Sequence, residues 1–240
     1  MGFHKWAAGQ PDGDMGSMMQ RFQPIFGLLT LLLPLTFVSP ASAQGSGDAA
    51  TRQIVAFGDS LSAGYGLGPG ESFPEQLQAA LRDDGYEVTV TNAGVSGDTT
   101  SGGLARLDWS VPDSADLVIV ELGANDALRG VDPQITRQNL DQILTRLGER
   151  GQRIILAGML APPNMGEDYA EAFNPIFPDL AQKHDVTFYP FFLDGVAAER
   201  GLNQDDGMHP NAKGVAVIVE KMKPLIEEAL GEKQASVSAQ

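Results

Sequence analysis

The segment Ile54-Val-Ala-Phe-Gly-Asp-Ser-Leu61 decides the fold prediction for this chain. Its first four residues form a short apolar run, which is typical of a strand buried on both faces of a sheet. The Gly-Asp-Ser sequence that follows ends the run with small and polar residues. A strand without polar alternation indicates a parallel sheet covered by helices on both sides. We therefore expect strands and helices to alternate along the rest of the chain.

Apolar runs and helical segments do alternate in this way. The expected strands are residues 54–57, 88–90, 117–122, 154–157 and 186–189. The expected helices run from 72 to near 85, from 99 to 109, from 132 to before 151, from about 167 to 183, and from 211 to about 230. This spacing predicts right-handed crossovers and a parallel sheet in a single α/β domain.

The amino-terminal segment has the features of a secretory signal peptide. Residues 22–47 carry no charge, and within them the apolar run 25–38 follows Arg21 and precedes an Ala-Ser-Ala43 cleavage motif. This run is shorter than the roughly 20 residues that span a bilayer, and it contains Pro34. We expect cleavage after Ala43 and a periplasmic or secreted protein.

These features divide the chain into four parts. We expect a signal peptide at 1–43, a disordered lead-in at 44–51, one folded domain at 52–230 and a frayed tail at 231–240. Translation could start at any of four methionines: Met1, Met15, Met18 or Met19.

The composition excludes several classes of function. The chain has no cysteine, so it has no cysteine nucleophile, disulfide or thiolate metal site. It has 31 acidic and 16 basic residues, a formal net charge of −15. Such a surface repels phosphate backbones and anionic lipids. We expect neither nucleic-acid binding nor stable membrane insertion after signal cleavage.

Ligands of a parallel sheet bind at the carboxyl ends of its strands, so the loops there are expected to carry the chemistry. Four loops combine small residues with polar side chains: 58–66, 92–99, 123–126 and 205–211.

Two histidines remain after signal cleavage. His184 lies in the last turn of an expected helix, where a cationic side chain is explained by the exposed carbonyl groups. His209 follows Asp206 by three residues, a spacing that lets a carboxylate hold the imidazole of a general base. A surface turn with ordinary capping residues would give the same spacing.

Ser60 is the candidate nucleophile, because it follows the first strand of the sheet. A helix cap is the alternative for Ser60, and Ser62 is a rival two residues later. The Gly-x-Ser-x-Gly elbow is absent. Candidate donors to an oxyanion are the Ser60 N–H, the Gly94 N–H and the Asn125 side-chain amide. Turn-forming roles for Gly94 and Asn125 stay open on these grounds alone.

Together these segments resemble the four sequence blocks of the SGNH, or GDSL, hydrolase family, in order: Gly58-Asp-Ser-Leu61, Gly94, Gly123-x-Asn125-Asp126 and Asp206-x-x-His209-Pro210. The resemblance covers about residues 52–230. Finer features at 59–65, 96–99, 103–107 and 171–173 are similar to the periplasmic acyl-CoA thioesterase, lysophospholipase and arylesterase subgroup. Ala124 departs from the subgroup, which often has glycine there.

The resemblance implies a three-layer, flavodoxin-like fold with a five-stranded parallel sheet of order 2-1-3-4-5 and helices on both faces. It also implies that Ser60 is the nucleophile, His209 the base and Asp206 its orienting partner. The oxyanion hole would then consist of the Ser60 N–H, the Gly94 N–H and Asn125. The implied reaction is hydrolysis of carboxylic esters or thioesters through an acyl-enzyme, with no metal or organic cofactor.

The loop after the fourth strand is rich in proline and apolar residues. We hypothesise that Pro162, Met165 and Tyr169 line the acyl groove and that this loop closes over it. The expected partner is a small acyl ester or thioester, and we expect a monomer.

Three alternatives remain. A carbohydrate O-acetylesterase of the same family would share the triad. A metal-dependent phosphoesterase would use Asp59, Asp126, Asp206 and His209. A flavodoxin-like binding module is disfavoured, because the chain has neither a P-loop nor a dinucleotide-binding glycine motif.

Overall fold

The computed structural model of the protein describes residues 51–231. The expected signal peptide, the lead-in up to residue 50 and the tail from residue 232 lie outside the described residues. The described strands are β1 (Arg52–Gly58), β2 (Val88–Asn92), β3 (Leu117–Glu121), β4 (Arg153–Ala157) and β5 (Thr187–Tyr189).

The described helices alternate with these strands. They are α1 (Ser60–Ala63), α2 (Phe73–Asp83), α3 (Thr100–Ser110), α4 (Ala124–Leu128), α5 (Pro133–Glu149), α6 (Glu167–Phe173), α7 (Ile176–His184) and α8 (Ala212–Leu230). A short 3₁₀ turn covers Pro163–Met165. None of the helices between residues 51 and 231 combines the length and the apolar character needed to cross a bilayer.

The five strands form one parallel sheet of order β2-β1-β3-β4-β5, which confirms the predicted fold. Every residue of β3 is buried, as expected of a central strand covered on both faces. Helices α2 and α8 pack together in one layer, and α3, α5 and α7 pack in series in the other. The register pairs Phe57 with Val120 and Gly58 with Glu121. It therefore brings the ends of β1 and β3 together.

The prediction of one helix from about 167 to 183 is wrong. The structure has α6 and α7 instead, separated at Asn174 and Pro175. Pro175 has no N–H to donate to the preceding turn, so the hydrogen-bond ladder of the helix stops there. Asn174 stabilises the break, because its side-chain oxygen accepts the Ala161 N–H at 2.8 Å.

Two single-turn helices, α1 and α4, were not expected from the sequence. Each is too short for a hydrophobic period to be detected. α1 begins at the capping residue Asp59, whose Oδ1 accepts the Leu61 N–H at 3.0 Å. These two turns carry Ser60 and Asn125, so they decide the geometry of the candidate site.

Candidate active site

The two serines after β1 have different environments. Ser60 is the first residue of α1 and is partly exposed. Ser62 is buried, and its Oγ donates to Glu121 Oε2 at 2.7 Å. Ser62 therefore points into the core, which leaves Ser60 as the serine that a substrate can reach.

The structure brings Ser60, His209 and Asp206 into one hydrogen-bonded series. His209 Nε2 lies 3.0 Å from Ser60 Oγ, and His209 Nδ1 lies 2.6 Å from Asp206 Oδ2. The Tyr65 ring flanks the imidazole, with 4.7 Å between ring centroids.

Asp206 is held by the loop that carries it. Its Oδ1 accepts the backbone N–H groups of Met208 and His209 at 2.9 and 3.0 Å. These bonds, together with the bond to the imidazole, lower the pKa of Asp206 from 3.8 to about 2. Asp206 is therefore an anion throughout the neutral range and favours the His209 tautomer that carries its proton on Nδ1.

The other histidine has structural partners. His184 Nε2 lies 2.6 Å from Asp141 Oδ1, and the Lys183 ammonium binds the same carboxylate at 2.7 Å. His184 ends α7, as the sequence indicated, and it is separate from the Ser60 series.

The expected oxyanion donors lie around Ser60. Asn125 Nδ2 donates one hydrogen to Asp59 Oδ2 at 2.9 Å, and its second hydrogen remains for another acceptor. The Gly94 N–H was expected to face a ligand, but it donates to Asn92 Oδ1 at 3.0 Å in an Asx turn.

Gly94 lies unusually close to the backbone of α1. A Cβ at this position would be 2.3 Å from the Ala63 nitrogen and 2.8 Å from the Asp59 carbonyl oxygen. Only glycine fits this contact without displacing α1. The missing side chain thus allows the loop after β2 to reach the helix that carries Ser60.

A pair of buried acids, Asp59 and Glu121, lies beneath α1. Both are fully buried, and Glu121 Oε2 accepts the Asp59 N–H at 3.3 Å. Burial raises the pKa of Asp59 from 3.8 to about 6, against the hydrogen bonds from Leu61 and Asn125. Burial, reinforced by the nearby Asp59 charge, raises the pKa of Glu121 well above its usual range.

The sequence interpretation gave neither acid this role. Glu121 stands inside the apolar run 117–122, where a charged residue is costly unless it is paired or protonated. That misfit was the signal for a buried polar site below the nucleophile.

Comparisons with known proteins assign the chain to a family. The GDSL-like Lipase/Acylhydrolase family model matches residues 56–217. The chain belongs to this family. It is a GDSL-type serine esterase, as the sequence blocks predicted.

Relatives of this GDSL esterase span nearly all of its folded domain. It is 39% identical over 191 residues to an arylesterase of Vibrio mimicus, covering 79% of this chain and 93% of that protein. It is 39% identical over 185 residues to the thioesterase 1/protease 1/lysophospholipase L1 of Escherichia coli strain K12, covering 74% and 86%. The crystal structure of AlinE4, an SGNH-hydrolase family esterase, is 49% identical with a TM-score of 0.63, covering 76% and 98%.

The loop after β4 of the GDSL esterase packs on the segment that follows α4. The Tyr169 hydroxyl donates to the Val131 carbonyl at 2.8 Å, and its ring stacks on Phe173. The Met165 methyl group lies next to Gly130, while Pro162 is partly exposed. The loop thus contacts the segment directly after α4, the helix that carries Asn125, and its contact with an acyl chain stays a prediction.

The acids of the phosphoesterase alternative have separate partners. Asp126 accepts the Thr100 N–H and hydroxyl at 2.8 and 2.5 Å and the Thr136 hydroxyl at 3.1 Å. Asp59 binds Asn125, and Asp206 binds His209. Among residues 51–231, no three His, Asp or Glu side chains are close enough together to hold a metal ion. The geometry gives that alternative no support.

Proposed function

We propose that this esterase hydrolyses acyl esters and thioesters through an acyl-enzyme formed on Ser60. The observation that carries the proposal is the continuous series from Ser60 Oγ through the imidazole of His209 to Asp206. In this series His209 is the general base and Asp206 holds its orientation and stabilises the imidazolium.

In the first step, Ser60 Oγ bonds to the acyl carbonyl carbon while its proton moves to His209 Nε2. The carbonyl electron pair moves onto oxygen and forms an oxyanion. When the pair returns, the bond to the leaving alcohol or thiol breaks, and His209 protonates that group.

In the second step, water takes the place of the serine. His209 accepts a proton from water as the water oxygen attacks the acyl-enzyme. Collapse of this second oxyanion breaks the bond to Ser60 Oγ, which regains its proton from His209. The products are a carboxylic acid and the free enzyme.

Three donors are proposed to stabilise each oxyanion: the Ser60 N–H, the Gly94 N–H and the second amide hydrogen of Asn125. The Ser60 N–H opens α1, where no intrahelical acceptor is available. The Gly94 N–H can be shared between Asn92 Oδ1 and the oxyanion as a three-centre bond. One well-placed donor of this kind contributes about 3–4 kcal/mol to catalysis.

Covalent labelling tests the mechanism. A fluorophosphonate should label the native enzyme, and Ser60→Ala should abolish both labelling and turnover. The matched control is Ser62→Ala, which should still be labelled because Ser62 points into the core. Labelling that survives in Ser60→Ala, or that is lost in Ser62→Ala, would sink the assignment.

The proposed substrates are small acyl esters and thioesters. The names of the relatives, arylesterase and thioesterase/lysophospholipase, support this class. A panel of p-nitrophenyl esters from acetyl to palmitoyl, with acyl-CoA and lysophospholipid, would rank the substrates. Activity confined to acetylated sugars would favour the O-acetylesterase alternative.

We further propose that the enzyme is exported after cleavage of residues 1–43. The apolar run and the Ala-Ser-Ala43 motif support this location. Mass spectrometry of the protein from its native cells should give an amino terminus at Gln44. An intact amino terminus in the cytoplasmic fraction would contradict export.

A further inference from the structure

Arg106 of α3 is a buried cation that the mechanism above does not use. It is 6% exposed, and its guanidinium carbon lies 4.3 Å from the centroid of the Phe57 ring. Its Nε donates to Asp98 Oδ2 at 2.6 Å. Burying a guanidinium is costly unless its donors are matched, so the acceptors of its other nitrogens are informative.

Those other nitrogens bind carbonyl groups at the ends of two neighbouring strands. Arg106 Nη2 donates to the Gly58 carbonyl at 2.8 Å, where β1 ends. Arg106 Nη1 donates to the Ala93 carbonyl at 2.8 Å, directly after β2. One planar group thus joins the two loops that carry the nucleophile and an oxyanion donor.

The Ala93 carbonyl belongs to the same peptide unit as the Gly94 N–H. In a trans peptide the C=O and N–H groups point in opposite directions, so fixing one fixes the other. Gly94 has no side chain to restrict the rotation of this unit. Asn92 Oδ1 accepts the N–H of the unit at 3.0 Å, and the bond from Arg106 holds its carbonyl end at 2.8 Å.

We propose that Arg106 is a positioning residue, which holds the Ala93–Gly94 peptide so that the Gly94 N–H points at the developing oxyanion. The inference rests on the proposed role of Gly94. A planar guanidinium is required, because its donors reach the two carbonyl groups and Asp98 at once. A lysine ammonium is a single point charge without this fork.

The test compares Arg106→Lys and Arg106→Gln with the native enzyme, with active sites counted by fluorophosphonate labelling. We expect kcat per active site to fall by about tenfold to a hundredfold, the range for a displaced oxyanion donor. KM should stay within about twofold, because ground-state binding does not use the oxyanion contact. The affinity for an alkyl boronic acid, which forms a tetrahedral adduct on serine, should fall by the same factor as kcat.

Arg150→Lys is the matched control. Arg150 also donates to a carbonyl, that of Val111 at 3.0 Å, and to the carboxylate of Asp108, but it follows α5 and precedes β4, at the amino-terminal ends of the strands. We expect a lower melting temperature with kcat within about twofold of the native value. A purely structural role of Arg106 would give this same pattern and would overturn the proposal.

Asp98→Asn covers the case in which the Arg106 variants do not fold. It weakens the anchor at Nε but leaves the arginine in place, so kcat should fall by about threefold to tenfold with KM unchanged. The inference would be overturned if the variants that fold kept the kcat and the boronic acid affinity of the native enzyme. Failure of the proposed function is a different result, because fluorophosphonate labelling would then not depend on Ser60.

Discussion

At the scale of single residues, the contrast between Ser60 and Ser62 follows from helix geometry. Residues two positions apart on a helix are separated by about 200° of rotation, so their side chains lie on nearly opposite sides. Because Asp59 caps α1 and fixes where its first turn begins, Ser60 lies beside His209 while Ser62 bonds to Glu121. The cap therefore selects the nucleophile.

This contrast predicts opposite effects of two alanine substitutions. Ser62→Ala should keep kcat within about threefold and lose about 1–2 kcal/mol of unfolding free energy, because a buried hydrogen bond to Glu121 is removed. Ser60→Ala should lose turnover and keep its stability. Urea unfolding measures the stability of each variant, and p-nitrophenyl ester hydrolysis measures its turnover. A folded but inactive Ser62→Ala enzyme would contradict these roles.

Asp59 predicts a dependence of stability on pH. Its pKa is raised in the folded protein, so its contribution to stability is present below about pH 4 and is lost as the pH rises through about 6. The rise from 3.8 to about 6 corresponds to roughly 3 kcal/mol. Asp206 acts in the opposite sense, and its contribution is lost only as the pH falls below about 4 towards 2.

Urea unfolding between about pH 4 and pH 7 measures this effect, with Asp59→Asn as the comparison. The variant cannot titrate at residue 59, so its unfolding free energy should fall less over this interval than that of the native enzyme. The dependence of the unfolding free energy on pH is compared, and not its absolute value, because the variant also changes the hydrogen bond to Asn125. Equal slopes would show that Asp59 does not titrate as proposed.

At the scale of elements, the break between α6 and α7 shapes the candidate groove. α6 is short because Pro175 interrupts its series of backbone hydrogen bonds. The Tyr169 hydroxyl then links α6 to the Val131 carbonyl by a hydrogen bond. A single long helix could be read from the sequence because both halves are apolar on one face. The break depends on one missing N–H and on the contact of Asn174 with Ala161.

Tyr169→Phe tests whether this element contacts the acyl chain. Loss of the bond to Val131 should cost about 1 kcal/mol of unfolding free energy. We also expect the ratio of octanoyl to acetyl ester hydrolysis to change by about threefold, with similar changes for substitutions of Pro162 and Met165.

Tyr189→Phe is the matched control for this variant. The Tyr189 hydroxyl is buried and has no hydrogen-bond partner within residues 51–231. Removing this hydroxyl should therefore leave the unfolding free energy equal or raise it, and the ratio of octanoyl to acetyl ester hydrolysis should not change. An unchanged ester ratio in all of the Pro162, Met165 and Tyr169 variants would reject the groove hypothesis.

At the scale of the whole molecule, the net charge of −15 opposes compaction. The proposed cleavage leaves this charge unchanged, because Lys5 and Arg21 balance Asp12 and Asp14 in the segment removed. The charge has no part in the proposed mechanism, and its effect is expected on stability and solubility.

Salt should therefore stabilise the enzyme. Raising NaCl from about 0.05 M to about 1 M at neutral pH should raise the melting temperature by about 2–5 °C, because screening weakens the repulsion among acidic side chains. The control is the same titration near the isoelectric point of about 4.4. An equal rise at both pH values would mean that charge repulsion is not the cause.

The parallel sheet and the candidate catalytic residues could be predicted from the sequence alone. Buried parallel strands are continuous apolar runs, and the four family blocks mark the loops at their carboxyl ends. These signals are local in the chain, so they could be detected without a structure. The order 2-1-3-4-5 came from the family resemblance, and the structure confirms it.

The groups that support those residues could be found only in the folded protein. The Asp59 and Glu121 pair, the Gly94 N–H on Asn92 and the Arg106 bonds to Gly58 and Ala93 join segments that are separate in the sequence. Backbone carbonyl and amide groups are the same at every residue, so the sequence carries no mark of which ones meet. Their directions are fixed only when the strands have paired and α1 and α3 have packed against them.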